Sequence, residues 1–222
     1  EEGPLTYAGW QSPWGTTLDV TKSGIADIDA LLPNEPIIWE SDTFYNEQYS
    51  LNGSTVLSFS FPGAFGDELK FADNYDTWMN QNTGVLPFNE QQMEAVRLAL
   101  EEWSNVANIT FVEVEEKNDV VGELRFAFTN APEINEVWGW SGLPAIHPSS
   151  GDTWVNSEFL TDLAWAQGTA FNFHALLHEI GHSLGLDHPH EGQDKLVEAK
   201  DFSNFTLMSY NEPNAAYYTD SS

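Results

Sequence analysis

The chain has 222 residues, 41% of them hydrophobic and 14% aromatic, enough for one domain with a sizeable core or for a domain with an extension. Against 35 acidic residues there are only 7 basic ones, a formal charge of −28, which argues against nucleic acid or anionic lipid as partners because both call for clustered Lys and Arg. No cysteine is present, so disulfides and thiolate metal ligands are excluded, and no apolar run approaches the roughly eighteen residues of a membrane span. The acidity itself reads as a solubility device, effective also at high salt where self-repulsion is screened. Calcium binding is the weaker account, because no D-x-D-x-D-G loop occurs in the chain.

Residues 1 to about 22 are rich in Gly, Pro, Thr and Trp, without a clear period. They are expected to lie on the domain surface or to be left over from a pro-segment. The opening E-E-G-P-L-T-Y has no basic segment followed by an apolar one, so an export signal is either already removed or lies elsewhere. Ser23 to Leu32 predicts a short helix, with Ile25, Ile28, Leu31 and Leu32 on one face and Pro33 beyond its end. Pro36 to Ser54 reads as an acidic loop. In T-V-L-S-F-S-F-P, Leu57, Phe59 and Phe61 alternate with Ser58 and Ser60, the pattern of a half-buried strand ended by Pro62-Gly63. Residues 62 to 87 read as loop.

Phe88-Asn89 opens a well-signalled helix. Asn89 is a good N-cap, Gln92 sits at the capping-box position, and Phe88 can staple onto Met93. Met93, Val96, Leu100 and Trp103 form its apolar face. Two strands follow, I-T-F-V-E-V-E and E-L-R-F-A-F, the second with Leu124, Phe126 and Phe128 on one face. Strand, long helix and strand predict a parallel pair joined by a right-handed crossover. V-W-G-W-S-G from Val137 to Gly142 is a candidate edge strand, and Thr153 to Asn156 another short one.

A helix starting near Thr169 then carries H-A-L-L-H-E-I-G-H-S-L-G-L-D-H-P. On a helix, positions four apart lie on one face, so His178 and His182 can bring two ring nitrogens to a single Zn²⁺. Glu179 is turned roughly a hundred degrees from His178, where it can reach a metal-bound water without being a ligand. Gly185 can end the helix in a left-handed conformation, and the chain can then return His188 as a third ligand. Three protein ligands leave one position open, the arrangement of a catalytic rather than a structural zinc. His174 lies two turns from His182, too far for all three to share an ion, and is read as a packing or supporting residue. His147 and His190 are read as surface residues and Asp187 as solvated.

Beyond the motif stands Leu207-Met208-Ser209-Tyr210. On its residues alone, Met208 would be ordinary core and Tyr210 a partly exposed turn residue. Taken together, S-F-S-F-P at 58–62, W-S-N-V-A-N-I-T-F-V-E-V at 103–114, H-E-I-G-H-S-L-G-L-D-H-P at 178–189 and L-M-S-Y at 207–210 resemble the catalytic domain of a serralysin-type metzincin, a secreted bacterial zinc endopeptidase. The resemblance covers roughly residues 23 to 212. It implies an α+β fold: a twisted, mostly parallel sheet with an antiparallel edge strand packed on two long helices, its active-site cleft above a small irregular C-terminal subdomain. It implies one catalytic Zn²⁺, with Met208 as an apolar floor and Tyr210 as a displaceable ligand or hydrogen-bond donor. Gly185 and Met208 are then structural at the site. Residues 1–45 are expected to form an N-terminal extension with a short helix, and 46–222 the catalytic domain.

The family's C-terminal helix and calcium-binding repeats have no counterpart before Ser222. The chain is therefore expected to be an unusually short member, a fragment of a longer product, or one of two separate pieces of it: a monomer, or in the latter cases a partner of the missing C-terminal portion of the same product. Extended protein or peptide substrates would pair with Trp138, Gly139, Trp140 and Ser141 by β-strand addition, which gives broad specificity. Cleavage would proceed with Glu179 as general base, outside the bacterial cell. Two other readings stand beside this one: a catalytically silent, zinc-stabilised peptide-binding or inhibitory module, against which Glu179 argues, and a calcium-binding surface or matrix protein.

Overall fold

The structure is a computed structural model that describes residues 6–7, 24–32, 55–66, 69, 71, 75, 84–117, 120–145, 147–161, 171–191 and 194–212. The expected loop at 36–54 and the start of the motif helix near Thr169 lie outside the described residues. Along the chain come β1 (Thr6–Tyr7), α1 (Ala26–Asp29), β2 (Thr55–Ser60), β3 (Val85–Leu86), α2 (Glu90–Val106), β4 (Ile109–Glu113) and β5 (Val120–Val121). After these follow β6 (Leu124–Thr129), β7 (Gly139–Ser141), β8 (Thr153–Asn156) and α3 (Phe171–Ser183).

Helix α2 starts where its cap dictates. Asn89 accepts from the Gln92 amide at 3.0 Å and Gln92 returns the bond to the Asn89 amide at 2.8 Å, a complete capping box. The stretch before and after it forms the expected parallel pair, with β2 beside β4 in register Thr55↔Ile109 to Phe59↔Glu113. Parallel strands need a long connection, and α2 lies within it. The main sheet runs β4-β2-β6-β8-β7. Its pairs are parallel except β7 on β8, which is antiparallel, and β3, which pairs antiparallel with β6 beyond the point where β2 leaves it. The fold is α+β with a mostly parallel sheet and an antiparallel edge strand, as the resemblance implied.

Strand β2 is not half-buried: Ser58 and Ser60 are as enclosed as Leu57 and Phe59. The reason lies on the second face of the sheet, which is also covered. On the first face Phe59, Phe61, Leu124, Phe126, Phe128 and Val155 pack against Met93, Val96 and Leu100 of α2 and Leu176 and Ile180 of α3. On the second, Phe71, Tyr75 and Trp154 form a smaller cluster. The serines survive burial because each has a carboxylate partner: Ser58 Oγ donates to Glu123 at 3.0 Å and Ser60 Oγ to Glu116 at 2.8 Å. Glu116 also receives the fully buried Arg125 in a two-pronged pair at 2.7 and 2.8 Å, and the Arg125 guanidinium lies over the Phe71 ring. Removing either partner would strand a charge in the interior.

The N-terminal helix is shorter than its pattern predicts. Only Ala26–Asp29 is helical, and Ile25 and Ile28 are exposed while Asp29 and Ala30 are buried. Asp29 accepts from the Gly24 amide at 3.0 Å, which closes a local turn in place of a longer apolar face.

Candidate metal centre

Helix α3 buries Phe173, Leu176 and Ile180 in the first-face core, the spacing of one apolar stripe. The packing presents His178 and His182, one turn apart, on the adjoining face. The helix ends as its glycine allows. Gly185 has φ of 101°, its amide donates to the His182 carbonyl at 2.8 Å, and the Leu186 amide donates to the Gly181 carbonyl at 2.9 Å. These are the two bonds of a Schellman C-cap, and the left-handed residue costs little because it lacks Cβ. The reversed chain brings His188 back beside the helix. Asp187, expected to be solvated, is half-buried and accepts from the His188 amide at 2.8 Å, so it shapes this turn.

The three Nε2 atoms converge: 3.1 Å between His182 and His178, 3.0 Å between His182 and His188, and 3.2 Å between His178 and His188. Their other nitrogens decide what the convergence means. His178 Nδ1 lies 2.9 Å from the Leu207 carbonyl and His182 Nδ1 2.8 Å from the Leu186 carbonyl. A carbonyl only accepts, so both Nδ1 atoms carry the proton and both Nε2 atoms present lone pairs. His188 Nδ1 faces a Glu191 carboxylate oxygen at 3.3 Å, which orients it the same way. Three acceptors cannot satisfy one another, so the cluster calls for a cation. Tetrahedral zinc with Zn–N of about 2.0–2.1 Å spaces its nitrogens by about 3.3 Å, close to the spacing seen, so the donor set fits zinc. Burial also holds the His178 and His182 rings down to a pKa of about 4, and lowers that of His188, so no proton need be displaced near neutrality.

Glu179 is buried beside the triad without joining it. Burial pushes its carboxyl up to about 7, opposed by a hydrogen bond from Ser141 on β7. Ser141 Oγ continues to Thr153 Oγ1 at 2.9 Å and that oxygen to Ser183 Oγ at 3.1 Å, which ties the edge strands to the end of α3. A Cβ on Gly139 would lie 3.6 Å from Glu179, so the edge strand runs directly alongside this carboxylate. Of the four residues expected to contact substrate, Gly139, Trp140 and Ser141 form β7 and are half-buried at the end of the strand order. Trp138 is different. Its ring belongs to the core and its Nε1 donates to Asn172 Oδ1 at 2.8 Å, so it supports the edge from behind.

Met208 is fully buried and Tyr210 is exposed, its ring stacked on His178 at 5.1 Å and 4.5 Å from His188. Partial burial and the Glu179 carboxylate push the Tyr210 hydroxyl up to about 12, so it keeps its proton and can donate. His190, expected at the surface, is half-buried and stacks on His188 at 5.3 Å, whereas His174, expected to pack or support, is exposed. His147 is exposed as expected.

Sequence reasoning passed over Gly181, inside the motif. A Cβ there would meet Met208 Sδ at 2.7 Å and Trp103 Cζ2 at 3.3 Å, so the missing side chain is what lets the methionine turn and α2 close on α3. The available signal was a glycine in mid-helix, which costs about 1 kcal/mol relative to Ala and calls for a packing reason. Gly181→Ala is expected to destabilise the fold by about 1–3 kcal/mol through overpacking. Urea unfolding checks this; an unchanged midpoint would mean Met208 swings aside freely. Asp201, Ser209 and Asn211 were also missed, and no spacing rule points to them.

A mostly parallel sheet with an antiparallel edge, packed on two helices of which one carries two of three converging histidines and is met by a buried methionine, defines a metzincin-type domain. The chain belongs to the matrixin family (Peptidase_M10), whose profile matches residues 70–201, more than half of its length. The curated relatives it matches include serralysins. It is 31% identical over 184 residues to Serralysin C of Dickeya chrysanthemi, which covers 77% of this chain and 37% of the relative. Serralysin A of the same organism is 29% identical over 183 residues, 80% of this chain and 38% of the relative. Serralysin of Proteus mirabilis is 28% identical over 192 residues, 78% of this chain and 37% of the relative. The chain thus spans less than two fifths of the length of these relatives.

Proposed function

We propose that this chain is a zinc-dependent endopeptidase unit that cleaves extended protein or peptide substrates with broad sequence tolerance. The observation that carries the reading is the convergence of three neutral imidazole nitrogens beside a buried carboxylate that is not one of them. His178, His182 and His188 would hold the metal. When bound, zinc supplies Lewis acidity: it lowers the pKa of water towards about 7 and polarises a carbonyl. Glu179 accepts the proton of the attacking water and delivers it to the leaving amide nitrogen, a task suited to a carboxylate titrating near neutrality. Ser141 orients that carboxylate. Tyr210 donates its hydroxyl proton in a hydrogen bond to the developing oxyanion.

The substrate backbone pairs with β7 at Gly139–Ser141, and main-chain pairing accounts for the broad tolerance. Residues 46–222 form the catalytic unit. Residues 1–45 are an extension that includes α1 and leans on the motif: the Asp187 amide donates to the Leu31 carbonyl at 2.9 Å and Lys200 pairs with Asp27. The family resemblance supports action outside a bacterial cell. Among the described residues no helix is long and apolar enough to cross a membrane.

The test is cleavage of an unstructured protein before chelation, after it, and after zinc is restored. Activity is expected to vanish on chelation and return with zinc, and the thermal midpoint to fall and recover with it. A ligand at a thousandfold its Kd stabilises by about 4 kcal/mol. A chain that binds one zinc but cleaves nothing in any of the three states would overturn the peptidase reading in favour of a silent peptide-binding module.

A further inference from the structure

Tyr210 has an unusual attachment for a residue poised over a metal site. Its side chain is exposed, and among the described residues none hydrogen-bonds its hydroxyl. Its ring lies against those of His178, His188 and His190. Its backbone is held as well, and both neighbours are held by one group. Ser209 Oγ donates to Asp201 Oδ1 at 2.6 Å and Asn211 Nδ2 donates to Asp201 Oδ2 at 3.0 Å. Asn211 Nδ2 also reaches the Asp201 carbonyl at 2.9 Å. The Asp201 carboxylate is buried, so these bonds are not in competition with bulk water.

Two further bonds close the same loop: the Ser203 amide donates to the Asn211 carbonyl at 2.8 Å, and the Met208 amide to Thr206 Oγ1 at 3.2 Å. The closed segment carries the Leu207 carbonyl that sets the His178 tautomer, the Met208 side chain packed against Gly181, and Tyr210.

We propose that Asp201 is a positioning residue: by gripping Ser209 and Asn211 it holds Tyr210 in register over the histidine triad. The inference rests on the peptidase reading for its catalytic consequence, but not for the geometry. Carboxylate chemistry matters here because both partners donate, and a carboxylate offers two acceptor oxygens. An amide at this position keeps one acceptor and turns its NH₂ on the other donor, so Asp201→Asn loses one grip and adds a donor–donor clash.

The experiment uses the zinc-loaded chain with its tyrosines replaced by 3-fluorotyrosine, the Tyr210 fluorine resonance being assigned by its absence in Tyr210→Phe. Asp201→Asn is expected to lower kcat by on the order of tenfold with KM within about twofold. In the Tyr210→Phe background the same change should have no further effect on kcat, because the residue it positions is gone. The Tyr210 resonance should lose the ring-current shift of its histidine neighbours. Ser209→Ala, which removes the bond to Asp201 and the one Ser209 Oγ accepts from the Asn211 amide at 3.2 Å but no charge, should give the same pattern more weakly, and it serves if Asp201→Asn does not fold. Equal losses of kcat in both backgrounds, or an unmoved Tyr210 resonance in the folded variant, would overturn the proposal. If the parent chain cleaves nothing, the peptidase reading falls and the resonance alone decides whether Asp201 positions Tyr210.

Discussion

Glu179→Gln is expected to lower kcat by about 10²–10⁴-fold while zinc content is unchanged, the span typical of losing a positioned proton carrier. The expectation follows from where the side chain lies. Glu179 is buried between the triad and β7, and its carboxyl titrates near 7 because burial disfavours its charge. A group with that pKa can both take a proton from water and return it at neutral pH. Glutamine fills the same volume and leaves the three imidazoles untouched, but it cannot carry the proton. Metal analysis alongside steady-state cleavage of a quenched-fluorescence peptide separates the roles. Turnover within a few-fold of the parent would remove Glu179 as the base. A parallel loss of zinc would instead make it part of the metal's support.

The second large effect concerns the ligands. His182→Ala should weaken zinc binding by at least about a hundredfold and abolish cleavage at stoichiometric zinc. If the 10–16 kcal/mol of a four-ligand zinc site is shared evenly, each ligand accounts for about 3 kcal/mol. His182 Nε2 lies 3.1 and 3.0 Å from the other two Nε2 atoms. It also donates to the Leu186 carbonyl at 2.8 Å, within the turn that returns His188, so its loss loosens a second ligand. Competition with a chromogenic chelator measures the affinity. Excess zinc should recover only part of the activity. An unchanged affinity would mean that the histidine cluster is not where the metal sits.

Much of the site was legible in the sequence because its parts act over short distances. The i, i+4 pair His178 and His182, the glycine that ends the helix and the return to His188 all fall within eleven residues, where helix geometry alone dictates what can meet. The Asn89–Gln92 capping box was legible for the same reason, since both partners lie within one turn. Strands read from composition and alternation at 55–61, 123–128 and 153–156 stand in the structure at Thr55–Ser60, Leu124–Thr129 and Thr153–Asn156.

What the sequence could not decide were matters of who packs against whom. The serines of β2 look like a solvent face until a second layer brings Glu123 and Glu116 over them from some sixty residues away. Trp138 reads like its edge-strand neighbours, yet the core claims its ring while Gly139–Ser141 stay at the edge. Gly181 matters only because Met208 and Trp103 arrive from distant segments to fill the space a Cβ would take. Asp201 carries no local pattern, because its partners at 209 and 211 meet it only once the loop has closed. By itself the sequence determined the spacing of the three histidines, the neighbouring carboxylate and the main elements, since backbone geometry over a few residues leaves little choice. Burial, the carbonyl facing His178 and the surroundings of Tyr210 were decided by the tertiary structure, because they depend on contacts that form only once separate segments have packed together.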